Sequence, residues 1–138
     1  MNELQLKQCD VQGRLFELSA DRQLNSAAFV KAFMASHVAK GLDSKFNHMH
    51  WAGEEYLLDE LTDSVGIENL TKNAEILSKD VLYWMGYIYR FWHFYTGEES
   101  TKIYKQASFA TMKRNYMMFH TMAPELAVDD LKEIYKQG

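Results

Sequence analysis

The stretch from Ser78 to Gly97, SKDVLYWMGYIYRFWHFYTG, constrains the fold more than any other part of this chain. At helical spacing, Val81, Trp84, Met85, Ile88, Phe91, Trp92 and Tyr95 share one stripe about 120° wide. Ser78 is placed to cap the helix, Asp80 falls in its first turn, and Gly97 stands where a helix commonly stops. The other side is not cleanly polar. Tyr83, Tyr87 and Phe94 line a second strip around Arg90, flanked by Leu82 and Tyr89. A helix apolar over most of its circumference is either the centre of its own domain or pressed against a partner.

The rest of the chain agrees with an all-α protein. One proline and seven glycines leave long uninterrupted segments, and no run alternates with the period of a strand. Helices are predicted at about 3–20, with Leu4, Val11, Leu15 and Leu18 in line and Phe16 beside them, and at about 52–64, with Leu57, Leu58, Leu61 and Val65 inward. Gly13 weakens the first by about 1 kcal/mol relative to alanine. Ser26, Ser100 and Ser108 each read as the cap of a short helix, Ser36 as the start of a short turn stopped by Gly41, and Gly66 as a further stop. Residues 67–77 fit a short helix or a loop equally well. The last helix starts near Pro124, with Leu126, Val128, Leu131, Ile134 and Tyr135 on its apolar side. The expected architecture is a single domain over 1–138, six to eight helices around a central 79–96 helix.

Several function classes are disfavoured. The lone Cys9 has no internal disulfide partner, which favours a reducing, cytoplasmic setting. The first ten residues are polar and charged, unlike a secretory signal. The apolar run Val81–Tyr89 is about half the length a bilayer demands, so no membrane role is expected. A net charge of −4 argues against general nucleic-acid binding. That charge is uneven: 46–71 carries six acids and no lysine or arginine, whereas 100–124 carries Lys102, Lys105, Lys113 and Arg114 and no acid. These segments are either solvated helix faces or a polar molecule whose basic 102–114 segment meets RNA, phosphate or an acidic protein. His48 and His50 offer two metal ligands at most, short of the three or four that zinc needs, and no cofactor motif is present.

One short motif resists dismissal. Arg114-Asn115-Tyr116-Met117-Met118-Phe119-His120 has the form arginine, polar residue, four residues, histidine. It resembles the active-site signature of the HEPN group of small helical ribonucleases. That resemblance implies a metal-independent RNase, commonly dimeric, with Arg114 stabilising phosphorane charge, Asn115 as the polar neighbour and His120 handling a proton. Six residues apart on one helix, Arg114 and His120 differ by about 240° in azimuth, so the reading requires the helix to break or bend between them.

A second likeness spans about residues 96–135. Ser100, Ile103, Tyr104, Tyr116, Phe119, His120, Thr121, Asp130 and Leu131 resemble the pattern of a small bacterial helical family encoded beside ADP-ribosyltransferase-like toxins. The resemblance implies an antitoxin or accessory protein, non-enzymatic, that masks a partner protein. This is the leading expectation; the ribonuclease and a structural or regulatory domain are the alternatives. The interface is expected on Tyr83, Tyr87, Arg90 and Phe94, residue types enriched at binding hot spots, in gripping a partner or in self-association.

Overall fold

The computed structural model describes all 138 residues and is all-α. Eight α-helices follow one another: α1 (Glu3–Asp21), α2 (Ser26–Met34), α3 (His37–Asp43), α4 (Glu54–Val65), α5 (Lys79–Thr96), α6 (Ser100–Gln106), α7 (Phe109–Phe119) and α8 (Pro124–Gln137). Short 3₁₀ turns at His48–Trp51 and Ile67–Asn69 interrupt the connections. No helix is long and apolar enough to cross a membrane.

Helix α5 is the centre, as its pattern demands. Its cap is the Ser78 hydroxyl, and Gly97 ends it in the left-handed conformation at φ 79°. Trp84, Met85, Ile88, Phe91 and Trp92 of the expected stripe are buried, and so are Leu82, Tyr89 and Arg90 from the other side. Tyr95, expected inward, is exposed and donates to Asp129 of α8.

The main partner of α5 is α1. The buried face of α1 is not centred on its leucines; it is Gln8, Cys9, Gln12, Gly13, Leu15, Phe16, Ser19 and Ala20. Small side chains there let the two helix backbones approach. A Cβ on Gly13 would sit 2.7 Å from the Tyr83 ring, and one on Gly86 would collide with the carbonyl oxygen of Gln12. Glycine at these positions therefore lowers helix propensity but permits the packing, which outweighs it. Phe16 then reaches into α2, edge-on to Phe29 and Phe33 at 5.1 and 5.4 Å between centroids.

Two serines expected as caps act otherwise. Asn25, not Ser26, caps α2, its side chain accepting from Ala28 N at 2.9 Å; the Ser26 hydroxyl accepts from Leu77 N at 3.0 Å. Glu99 occupies the cap position of α6, and Ser100 is buried one residue inside. Gly41 lies within α3, which runs on to Asp43. The ambiguous 67–77 segment becomes a strap tied to the start of α2, with Asn25 N bonded to Leu70 O at 2.7 Å and Ser26 N to Glu75 O at 2.9 Å. In α8 only Ala127, Val128 and Leu131 are buried, while Leu126, Ile134 and Tyr135 face outward.

Candidate functional site

Where α1 and α5 diverge from the α7–α8 connection, they leave an open groove of about 890 Å³. Its floor is α5: Tyr83, Trp84, Tyr87 and Ile88. One wall is a face of α1 bearing Asp10, Arg14, Glu17 and Asp21, spaced three or four residues apart. Tyr116, His120, Met122 and Pro124 form the other, and Glu54 and Glu55, in the first turn of α4, complete the lining.

The rings are held in fixed places. Tyr83 donates to Asp10 Oδ1 at 2.5 Å and lies 6.0 Å from the Tyr87 ring. Tyr116 meets Trp84 edge-on at 5.6 Å and stacks on His120 at 4.4 Å. Burial, then the neighbouring Cys9 sulfur and the carboxylates of Asp10 and Glu125, raises the Tyr87 hydroxyl above its usual range. Six carboxylates of the lining, with Asp80 among them, face only Arg14 and Lys79. Both cations are already paired, Arg14 with Asp10 at 2.9 Å and Lys79 with Asp21 at 2.9 Å.

Arg90 is a correction to the expected interface. It is wholly buried, donating to Gln12 Oε1 and Asp43 Oδ1, each at 2.7 Å, and to the Ser100 hydroxyl at 3.4 Å. Asp43 in turn accepts from Ser100 N and its hydroxyl, both at 2.8 Å. Every arm of this cluster comes from a different helix, so it clamps α1, α3, α5 and α6 and presents only a sliver of Asp43 to solvent. Cys9 lies beside it, fully buried, its thiol pushed up to about 12 by desolvation against the opposing pull of Arg90. Of the other expected interface residues, Tyr83 and Tyr87 line the groove; Phe94 is half-buried outside it, edge-on to His93.

The ribonuclease motif lacks the geometry it requires. Helix α7 runs unbroken through Arg114 and Asn115 to Phe119, and His120 at its end keeps helical angles (φ −67°, ψ −20°). His120 lines the groove, with Nδ1 2.8 Å from the Tyr116 carbonyl oxygen; Arg114 is exposed and takes no part in it. Asn115 donates to the Thr111 carbonyl at 2.8 Å.

The basic segment also divides. Lys102 and Lys105 join Lys132 and Lys136 of α8 around a shallow basin, apart from Lys113 and Arg114. Its one acid, Glu98, accepts from Lys132 at 2.6 Å, Gln106 at 2.9 Å and Trp92 at 2.8 Å. Burial opposes its charge, but these bonds prevail and hold the carboxyl down at about 2. His48 and His50 do not converge with a third ligand. His50 Nε2 and Gln8 Oε1, both without protein partners, line a separate cavity of about 70 Å³.

Comparison with family models, characterised proteins and solved structures gave no match.

The sequence reading missed the α1 wall and Tyr116 as parts of a binding surface. The α1 wall had a signal in the Asp10–Arg14–Glu17–Asp21 spacing, which follows one helix face.

Proposed function

We propose that the protein is a non-enzymatic binding module whose groove seats part of a partner protein. The observation that carries this reading is the aromatic floor left open between rigid helices, with Tyr83, Tyr87 and Tyr116 half-buried and fixed in place. Such rings offer large contact area at small entropic cost, and fixed elements spare a partner the cost of ordering the site. Residues 116–124 of one wall lie within the stretch that resembles the toxin-associated family, which supports a toxin as the partner and masking as the mechanism.

A photo-crosslinking residue placed at 87, and separately at exposed Asp63, tests this in cells that produce the protein. A partner should crosslink from 87 and not from 63. Purified, it should bind the wild-type chain and lose most of its affinity for Tyr87→Ala/Tyr116→Ala. If it is a toxin, co-expression of the wild-type chain should restore growth where the double variant does not. Equal crosslinking from both positions, or binding indifferent to the double substitution, would sink the reading.

A further inference from the structure

We infer that the groove takes a lysine- or arginine-bearing segment of its partner, an inference that rests on the groove being the partner's seat. Charge gives the first reason. Glu17, Glu54, Glu55 and Asp80 line the groove without any ion-pair partner, while the two resident cations are already engaged by Asp10 and Asp21. An apolar helix laid over them would bury carboxylates with nothing to pair them, and an acidic segment would be repelled. A basic segment brings the missing partners.

The floor gives the second reason. Tyrosine and tryptophan faces attract cations through their ring quadrupoles, and the long stems of lysine and arginine lie well on such surfaces with the charged head directed to a carboxylate. The hydroxyls of Tyr83 and Tyr87 are both shifted upward, by burial first and by Asp10 and other neighbours after it, so the rings stay neutral within a negative field. Shape gives the third. Enclosed metabolite sites bury most of their ligand, whereas this groove is open along one side and suits an extended chain touching several walls. The lysine basin of Lys102, Lys105, Lys132 and Lys136 lies outside the groove, so the chain's own bases do not fill it.

Panning short random displayed peptides against the immobilised full chain, with the Tyr87→Ala/Tyr116→Ala variant as counter-selection, separates the possibilities. The expected survivors carry clustered lysine or arginine. A synthetic survivor should bind the wild type with marked salt dependence and lose roughly tenfold in affinity for Glu17→Gln/Asp80→Asn. Asp63→Asn/Glu68→Gln, which removes two exposed carboxylates outside the groove, should leave affinity within about twofold. Circular dichroism establishes that each variant is folded; should the tyrosine pair disturb folding, the carboxylate pair serves as the counter-selection instead. Groove-dependent survivors that are apolar or acidic would overturn the basic occupant and leave the partner seat standing. Equal losses in the two carboxylate variants would reduce the effect to general attraction by an acidic protein and overturn it too. Sedimentation showing self-association abolished by Glu17→Gln/Asp80→Asn would replace the partner's segment with the lysine basin of a second copy. An absence of groove-dependent survivors would remove both the occupant and the seat.

Discussion

Helices α1 and α5 build two polar regions along one shared seam, and they treat charge in opposite ways. Around Arg90 the seam is sealed: the guanidinium meets Gln12, Asp43 and Ser100, and Gln12 and Ser100 are buried with it while Asp43 is nearly so. Around Tyr83 and Tyr87 the seam opens, and carboxylates remain on the walls without counter-ions. A buried charge must be paired within the fold or it destabilises the fold; a charge at an open wall carries no such requirement and stays free for a partner. Position along the helix face does not distinguish the two regions, since Tyr83, Tyr87 and Arg90 fall on one side of the same helix. What distinguishes them is whether another helix covers the position.

The sharpest way to break this contrast is Arg90→Ala. It strands Asp43, whose side chain is 7% exposed, and should cost about 3–5 kcal/mol in urea unfolding. A cost below about 1 kcal/mol would mean that Asp43 finds water and that the cluster is not sealed. Gly86→Ala acts on the seam itself by driving a methyl group into the Gln12 carbonyl, with an expected loss of about 1–3 kcal/mol. Unchanged thermal unfolding would show that the helices can part without penalty.

On the open side the effects should be smaller. Tyr87→Ser removes a half-buried ring and should lower stability by about 1 kcal/mol with the helical dichroism intact. Failure to fold would put the strip in the core and end its use as a binding floor.

The smallest effect concerns Glu98, at the edge of the lysine basin. Its folded carboxyl is held at about 2 against an ordinary 4.5, so its contribution is present above about 4.5 and disappears as pH falls toward 2. Comparing urea midpoints between those limits, the wild type should lose an increment that Glu98→Gln does not. Parallel pH profiles would refute the assignment.

Much of the fold was legible because its signals are local. Ser78 and Gly97 bracket α5, and Leu57, Leu58 and Leu61 mark the inner face of α4, each within a few residues of the structure it specifies. The corrections at Ser26, Ser100 and Arg90 involve distant partners. Ser26 and Ser100 look like caps because serine favours that position, yet Leu77 and Asp43 claim their hydroxyls. Arg90 looks like interface because helical spacing places it among tyrosines; its partners stand 78 residues away at Gln12 and 47 away at Asp43. A single arginine inside an otherwise apolar run was nonetheless a warning, since burial of that run demands a counter-charge from elsewhere in the chain. The groove was half visible for the same reason: its floor lies on one helix, while its walls are assembled from three other parts of the sequence.

Cys9 carries a consequence of the seam for chemistry in time. Only the thiolate attacks electrophiles or forms mixed disulfides at useful speed, and here the proton is held on and the sulfur has no exposed surface. Alkylating agents and oxidants must therefore wait until α1 lifts from α5. The rate at which this one sulfur is modified in the native protein then measures the frequency of that separation, making Cys9 a natural clock for the opening of the central helix pair.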